Sequence, residues 1–271
     1  MLIDPLVLRA RTNEVAARLA NPAACAAAIR RLLEDYTDRT HRLSPRLAQM
    51  RPDGDRQTPA PVTRALLVAL RKPALASPEN AVELAKVLWS GGTRPERVLA
   101  AQVLGLATSR LPEEALALAD RWVTELDSLE TVGAVVNYVF GPLLAGAQTQ
   151  FLQRARGWSR QPQKWVRCLG ITVLSALARE RKWDDVLSAL ELLRPLMGES
   201  DPNVRAAIIT ALRDLAQRNA SETARFLLEF AHRSDHNTHM IVRGALRALP
   251  EADQAQLVRA LRGSGSTGVA F

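Results

Sequence analysis

The sequence predicts an all-α protein, and three observations support this fold class. The 271-residue chain is 47% hydrophobic but only 4% aromatic, and its apolar residues are mostly alanine, leucine and valine, the first two being strong helix formers. Apolar residues recur at helical spacing, and no stretch reads as alternating strands bounded by Asn-Gly or Asp-Gly turns. Proline and glycine divide the chain into segments of ordinary helix length. We therefore expect a soluble globular protein with a substantial core.

The positions of proline and glycine predict the order and bounds of the helices. Several have proline in the first turn, where the missing amide donor is not needed. The polar stretch "QMRPDGDRQTPAP" reads as a loop after the first two helices. The predicted helical segments are 5–20, 23–43, 62–72, 78–90, 95–107, 112–127, 129–144, 149–159, 162–181, 183–197, 202–219, 221–233, 238–249 and 252–262.

A repeated pattern predicts how these helices are arranged. The segments "TRPERVLAAQVLGLA", "QPQKWVRCLGITVLSALA" and "SDPNVRAAIITALRDLA" each place a proline or polar cap, then an apolar residue beside arginine, then small apolar residues along one face. They recur roughly every 35 to 70 residues, the spacing of two-helix repeats. Within the last, Asp201, Val204, Arg205 and Ala206 or Ala207 resemble the HEAT repeat. The expected architecture is a right-handed solenoid of about 12 to 14 HEAT-like helices, and a plain α-helical bundle is the alternative.

The match to this pattern suggests three parts of the chain. Residues 1–60 form a less matched N-terminal helical cap, residues 61–262 the repeat domain, and residues 263–271, "GSGSTGVAF", a flexible tail. No signal peptide or membrane span is expected. Cys25 and Cys168 form no CxxC motif, which agrees with a reducing, cytoplasmic compartment.

The charge of the chain favours a polyanionic partner. The formal net charge is +8, and the sequence pI is about 10.4, a balance typical of nucleic-acid binding. Lysine supplies only four of the 36 basic residues. Arginine suits phosphate because its planar fork donates two hydrogen bonds at once. The codon bias of a GC-rich genome is the competing explanation for so much arginine and alanine.

Three segments between about residues 61 and 250 carry a resemblance to a known family. They are "AVELAKVLWSGGTRPERVLAAQVLG", "FLQRARGWSRQPQKWVRCLGI" and "PNVRAAIITALRDLAQRNASETARFLLE". In this order and spacing they resemble the bacterial DNA alkylation repair family of HEAT-like-repeat glycosylases, the AlkD type. The matching residues are Leu88, Trp89, Ser90, Glu96, Arg97, Ala100, Ala101, Trp158, Ser159, Trp165, Arg167, Leu212, Arg213 and Asp214.

The resemblance implies a DNA-directed activity. Members of this family hold duplex DNA by its backbone on a concave face and remove positively charged N3- or N7-alkylated purines without a flipped-base pocket. An aspartate supports the developing sugar cation, and tryptophans contact the deoxyribose. Because such a lesion is already a good leaving group, modest electrostatic help suffices.

The chain departs from the family at the positions that carry this chemistry. The family's stretch Ser-Trp-Trp-Asp-x-Val-Asp falls on "DSLETVG", so that Leu129 replaces a tryptophan and Gly133 replaces the catalytic aspartate. Thr210 replaces the tryptophan that precedes the Leu-Arg-acid signature. The family's arginine falls on Arg167 or on Cys168. The resemblance therefore implies a retained scaffold with a degenerate catalytic site.

Gly133 also stands out without the resemblance. Ser128 can cap a helix that continues past residue 133, and glycine inside a helix costs about 1 kcal/mol relative to alanine. Either packing requires the glycine or a more useful side chain has been lost. Glu130, on the same helical face, is the candidate replacement acid, whereas its structural interpretation is a first-turn carboxylate that favours the helix dipole.

The candidate DNA contacts lie near the first turns of repeat helices, where side chains and helix N-termini face phosphates together. Taken singly, each of them is better explained by a solvated or packing role than by a DNA contact, and it is the group that suggests a DNA face. The five tryptophans are expected mainly in the core between repeats. The candidate DNA-binding residues are Arg97, Arg160, Lys164, Arg167, Arg205 and Arg243.

The sequence predicts no cofactor and no metal. His232, His236 and His239 have a spacing that can ligate zinc on a continuous helix, but the residues between them read as an inter-helix turn with Asn237 or Thr238 as a cap. No Gly-rich phosphate loop, HExxH motif or nucleophile triad is present.

Three functions remain open from the sequence. The first is a DNA-binding relative of the alkylation repair type that grips the backbone of damaged or branched duplex DNA in a basic groove without standard glycosylase catalysis. The second is an active alkylpurine glycosylase using Glu130, and the third is a HEAT-repeat scaffold for proteins. We expect a monomer in the cytoplasm, associated with the nucleoid.

Overall fold

The computed structural model describes residues 3–36 and 59–263, and every regular element in these ranges is helical. The all-α prediction is confirmed. Most of the predicted loop "QMRPDGDRQTPAP" and residues 264–271 of the predicted tail lie outside the described residues.

The helices are numbered in chain order. Short 3-10 turns follow three of them, at Val123–Glu125, Arg194–Leu196 and Leu246–Ala248. A π-helical segment, Val135–Phe140, joins the seventh to the eighth. The α-helices are α1 Pro5–Ala16, α2 Pro22–Tyr36, α3 Ala60–Ala76, α4 Pro78–Ser90, α5 Arg94–Ala107, α6 Pro112–Trp122, α7 Leu129–Ala134, α8 Gly141–Ser159, α9 Lys164–Arg179, α10 Val186–Leu193, α11 Pro202–Arg218, α12 Ala220–Ala231, α13 His236–Ala245 and α14 Glu251–Gly263.

The described residues form two compact units. Unit 1 comprises the chain up to Trp122 together with Tyr138–Pro142. In it, α3 packs on both α1 and α5, while α2 packs on α4, and α4 packs on α5. The two helices of the predicted N-terminal cap thus pack directly on the helices that follow, and the boundary at residue 60 stays a prediction.

A buried pair of tryptophans and a partly buried ion pair connect the helices of unit 1. The rings of Trp89 and Trp122 stack with centroids 4.1 Å apart, and both are almost fully buried. Glu96, 2% exposed, closes a capping box with Thr93 at the start of α5 and pairs with Arg30 of α2. Two residues of the matched segment, Trp89 and Glu96, therefore hold helices together.

Unit 2 comprises residues 123–137 and the chain from Leu143 onward. Here α7, α9, α11 and α13 pack side by side in one layer, and α10, α12 and α14 in a second. Alternate helices of the chain thus stack on each other in each unit, as in an α-helical repeat protein. This arrangement is consistent with the predicted helical repeats within each unit.

Gly170 allows α9, a helix of the first layer of unit 2, to approach α8 closely. A Cβ atom on Gly170 of α9 would lie 2.7 Å from the amide nitrogen of Ser159 and 2.8 Å from the carbonyl oxygen of Ala155. These distances are below van der Waals contact, so α9 approaches the end of α8 this closely only because residue 170 has no side chain.

Several helix ends differ from their predicted positions for identifiable reasons. The third helix runs through Pro73 to Ala76, because the fully buried stripe Val62, Leu66, Leu70 and Ala74 outweighs the one hydrogen bond that proline removes. The break predicted at residues 145–148 is present as a sharp kink, because the backbone of Ala147 is not helical, with φ −140° and ψ 30°.

The apolar run Leu129–Ser159 meets the length and hydropathy requirements of a membrane span. Of its most apolar 18 residues, 44% are buried inside the protein. A core helix meets the same requirements, because the side chains it buries are as apolar as those that face lipid.

Candidate functional site

The start of α7 is built by a capping box. The hydroxyl of Ser128 accepts a hydrogen bond from the amide of Thr131 at 3.2 Å, and the amide of Ser128 donates to the hydroxyl of Thr131 at 3.3 Å. Thr131 is fully buried. Ser128 is therefore the predicted cap, and it fixes the direction in which α7 leaves the preceding turn.

Gly133 has no packing reason to be glycine. Among the described residues, a Cβ atom there would meet only the side-chain nitrogen of Asn137, at 3.9 Å, which is ordinary van der Waals contact. Leu129 and Gly133 are four residues apart and lie on one face of α7. In contrast to Gly170, no other described part of the chain approaches this glycine closely.

A groove in unit 2 brings two of the predicted degenerate positions together. It has a volume of about 140 Å³ and lies where α7, α9 and α11 meet. Leu129, 39% exposed, and exposed Thr210 lie at its mouth. We call it the α7–α9–α11 groove, and it is lined by Leu129, Thr172, Ser175, Ala206, Ala207 and Thr210.

The three hydroxyl groups of the groove already use their hydrogens. Thr172 donates to the carbonyl of Cys168 at 2.7 Å, and Thr210 donates to the carbonyl of Ala206 at 3.0 Å. Ser175 donates to the carboxylate of Asp214. Since a hydroxyl has one hydrogen and two lone pairs, these side chains offer only acceptors to the groove.

Asp214 brings the carboxylate of α11 to one end of the groove. It follows Thr210 by one helical turn, its side chain is 15% exposed, and its Oδ2 atom lies 3.9 Å from Nε of Arg179. The family resemblance marked Asp214 only as part of a signature. The i, i+4 spacing from Thr210 was the sequence signal that could have placed it beside the groove.

Cys168 lies on the groove side of α9 but is covered. It is four residues before Thr172 and seven before Ser175, and it is fully buried. Burial raises the pKa of its thiol to about 12. Of the two positions predicted for the family's arginine, Cys168 therefore offers no accessible side chain.

Arg167, the other position, is partly buried and links structural elements. Its guanidinium donates to the carbonyl oxygens of Gln161 and Pro162, at 3.1 and 2.6 Å, and lies 3.2 Å from the carboxylate of Glu199. It closes the turn before α9 and reaches the loop before α11.

Two more candidate contacts belong to the same edge of unit 2. Nζ of Lys164 lies 3.9 Å from the carboxylate of Asp201, the cap of α11. Arg205 donates to the side-chain oxygen of Asn237 at 3.0 Å, at the start of α13. We call Lys164, Arg167 and Arg205 the basic edge, because they align the N-terminal ends of α9, α11 and α13.

The remaining candidate contacts differ in exposure. Arg160 and Arg243 are exposed in unit 2, and neither side chain makes an ion pair or hydrogen bond within residues 3–36 and 59–263. The guanidinium of Arg97 lies 5.5 Å from the ring centre of Trp89 in unit 1. The structure thus groups three of the six candidates at one edge and places Arg97 in the other unit.

Glu130 and the tryptophans occupy ordinary positions. Glu130 is an exposed residue in the first turn of α7, which agrees with the helix-dipole interpretation. Trp89, Trp122 and Trp183 are at most 3% exposed and belong to the core as predicted.

The histidine cluster surrounds a helix start. His232 follows α12 and His236 begins α13. The carboxylate of Asp235 accepts hydrogen bonds from the amide and hydroxyl of Thr238, at 2.8 and 2.6 Å. The predicted cap at Asn237 or Thr238 is therefore wrong: Asp235 caps α13. Within the described ranges, no group of three potential ligands is arranged for a metal.

Comparison with known proteins gives one family. A family model described as "DNA alkylation repair enzyme" matches residues 58–249, more than half of the chain and nearly the range of the resemblance. No curated protein matches, and no solved structure matches.

We predict opposite effects of alanine at two helical glycines of unit 2. Gly133→Ala should raise the free energy of unfolding by about 0.5 to 1 kcal/mol, because it removes backbone entropy without a clash. Gly170→Ala, the matched control, should lower it by about 1 to 3 kcal/mol through overpacking. Urea denaturation measures both, and a destabilised Gly133→Ala variant would show that packing requires that glycine.

We also predict that Cys168 resists alkylation. In a Cys25→Ala background, iodoacetamide at pH 8 should modify the native protein more than about a thousandfold more slowly than a free thiol, because the raised pKa leaves little thiolate. The same protein in urea should react at the free-thiol rate. Rapid modification of the native protein would instead place Cys168 in the open groove.

Proposed function

Since the chain belongs to the DNA alkylation repair family, we propose that it is a DNA-binding member that grips the duplex backbone and lacks the standard glycosylase catalysis. Its partner is duplex DNA, damaged or branched. A monomer in the cytoplasm, associated with the nucleoid, is part of the same proposal.

The observation that carries the loss of catalysis is the chemistry of the α7–α9–α11 groove. Its lining side chains are aliphatic or carry hydroxyl groups, so none of them is charged at neutral pH. Gly133, at the position of the family's aspartate, has no side chain and is not required by packing. A developing sugar cation would find no carboxylate among the lining residues to stabilise it.

Two carboxylates near this region are less suited to replace the aspartate. Glu130 is exposed to solvent, where water screens its charge. Asp214 accepts a hydrogen bond from the hydroxyl of Ser175, and its Oδ2 atom lies 3.9 Å from Nε of Arg179. These two contacts partly neutralise its negative charge. These contacts support a binding function over a relocated acid.

The cations of unit 2 support binding to the DNA backbone. The basic edge aligns three cations at the ends of neighbouring helices, while Arg160 and Arg243 are exposed without protein partners in the described part of the chain. Arginine binds phosphate through two parallel hydrogen bonds. Contacts of this kind hold a duplex irrespective of sequence and weaken as salt rises.

We predict binding without base excision. On a methylated duplex, the protein should release neither 7-methyladenine nor 3-methyladenine, yet it should bind that duplex at least tenfold more weakly at about 200 mM than at 50 mM salt. Base release and fluorescence anisotropy on the same duplex measure the two properties.

Variants at residues 130 and 133 test whether an acid at either position supports base release. Release by the wild type that disappears in Glu130→Gln would refute the non-catalytic proposal in favour of a rearranged acid. Gly133→Asp restores a carboxylate where the space is open, with Gly133→Asn as its uncharged control. Absence of salt-dependent binding to the duplex would favour a protein scaffold.

We further predict that the exposed arginines carry part of the duplex affinity. The double variant Arg160→Ala/Arg243→Ala should reduce the slope of log affinity against log salt by about 2, because each lost phosphate contact removes roughly one released counterion. Arg225→Ala is the control, since Arg225 pairs with Glu222 on α12 in the second layer. Equal slopes for the double variant and the wild type would exclude these arginines from the DNA contact.

A further inference from the structure

We propose that the exposed face of α3 binds a helix of a partner protein in which leucine and glutamate alternate along one side. The proposal concerns unit 1 and goes beyond the proposed DNA binding. Three properties of this face carry it: the spacing of its residues, the exposure of its apolar side chains, and the lack of carboxylates beside its cations in the described part of the chain.

The exposed face of α3 alternates apolar residues with arginines. Its members follow one another at steps of three and four residues, which keeps them on one side of an α-helix. The opposite side carries the fully buried stripe of this helix. The exposed face is about 21 Å long, which is close to four helical turns. We call it the α3 seam, and it consists of Pro61, Arg64, Val68, Arg71 and Leu75.

The seam leaves two aliphatic side chains in water. Val68 is 70% exposed and Leu75 is 42% exposed. These two residues are seven positions apart, the repeat distance at which helices that pack side by side present equivalent side chains to each other. A partner helix with leucines at the same spacing can therefore bury both of them, and the removal of this apolar surface from water favours association.

The cations of α3 lack carboxylates to pair with. Arg64, Arg71 and Lys72 are exposed, and within residues 3–36 and 59–263 none of them makes an ion pair. The helix itself contains no aspartate or glutamate, and its neighbours α1 and α5 each have two arginines and one glutamate. The surroundings of the seam are therefore basic, and a docked segment complements them with carboxylates opposite the arginines.

The alternation of residue types favours a protein helix over other anionic partners. A DNA duplex binds such cations through its phosphates, but a phosphate is no apolar partner for Val68 and Leu75. A membrane surface takes up a helix whose apolar residues lie on one side and whose cations lie on the other, whereas the seam has arginines between its apolar residues. A helix with leucines and glutamates at matching steps complements both residue types.

The segment that directly precedes α3 does not have the charge of this occupant. Residues 37–58 contain five arginines and three aspartates. A basic segment is repelled by a basic face. The occupant is therefore sought in a different protein.

A peptide titration of the full-length chain is the first test. A fluorescently labelled peptide of about three heptads carries leucine and glutamate alternately along one side. One control peptide has the same composition in scrambled order, and the other has lysine in place of glutamate. Anisotropy should show binding at least about tenfold tighter for the leucine–glutamate peptide than for either control, and the NMR methyl signals of Val68 and Leu75 should shift. Equal affinity for the three peptides would overturn the proposal.

Charge reversal tests whether the arginines of the seam select the partner. Arg64→Glu/Arg71→Glu should reverse the preference, so that the lysine peptide binds about tenfold more tightly than the glutamate peptide. Its control is Arg110→Glu/Arg121→Glu, which changes the net charge equally at exposed arginines of unit 1 outside α3 and should keep the preference of the wild type. The same preference in both double variants would refute the role of the seam.

A second pair of variants tests the apolar contribution. Val68→Ser should weaken binding of the leucine–glutamate peptide by about fivefold to tenfold, because it removes apolar contact area. It should leave duplex affinity unchanged, because it alters no charge. Leu187→Ser, at an exposed leucine of α10, is the control and should change neither affinity. Unchanged peptide binding by Val68→Ser would contradict the proposed contact.

Parallel measurements identify other occupants of the seam. Each uses wild type, Arg64→Glu/Arg71→Glu and its charge-matched control, and measures duplex affinity, binding to phosphatidylserine-containing vesicles and self-association. Equal results for the two double variants support the proposal. A larger loss of duplex affinity in the seam variant would assign the seam to DNA, a larger loss of vesicle binding would assign it to a membrane surface, and a larger loss of self-association would assign it to a second copy of the chain. Each of these three results overturns the proposal.

Discussion

The packing of α9 against α11 is the contact on which unit 2 depends. Apolar residues on both helices, among them Leu169, Val173, Ile208 and Leu212, are fully buried. Polar links hold the two ends of the pair: Lys164 reaches the cap of α11 at one end, and Ser175 reaches Asp214 toward the other. Because the links lie several turns apart, α9 cannot slide along α11 without breaking one of them. The rigid pair therefore fixes the floor and one wall of the groove.

In the proposed function, the cations of the basic edge have two roles, one in joining helices and one in binding phosphate. Arginine and lysine side chains that join neighbouring helices at their ends are held in defined positions, which lowers the entropy lost when a phosphate binds. Arg205, held by Asn237, is an example. A side chain that is already paired also gains less from a phosphate, so in the proposed function we expect exposed Arg160 and Arg243 to be the stronger sources of affinity.

Much of this organisation could be predicted from the sequence, because helix caps, proline positions and apolar spacing are local signals. The start of α7 at Leu129 and the bounds of α4 follow from them. Helix continuity at Pro73 could not be predicted, because it depends on the burial of Ala74 against other helices. In the candidate site, the resemblance indicated Leu129 and Thr210, which the fold brings to one groove. The covering of Cys168 and the contact of Ser175 with Asp214 depend on how α9 meets α11, which no local pattern encodes.

The open space at Gly133 has an evolutionary consequence. Every glycine codon becomes an aspartate or a glutamate codon by one base change, so this position is a single mutation away from a carboxylate, and among the described residues a Cβ atom there meets nothing closer than 3.9 Å. At Gly170 the same mutation would place atoms into the backbone of α8. The two glycines thus differ in what a side chain would cost: a Cβ atom at Gly170 would lie 2.7 Å from the backbone of α8, whereas one at Gly133 would meet the described residues only at van der Waals distance. A carboxylate at residue 133 would therefore require no rebuilding of these helices.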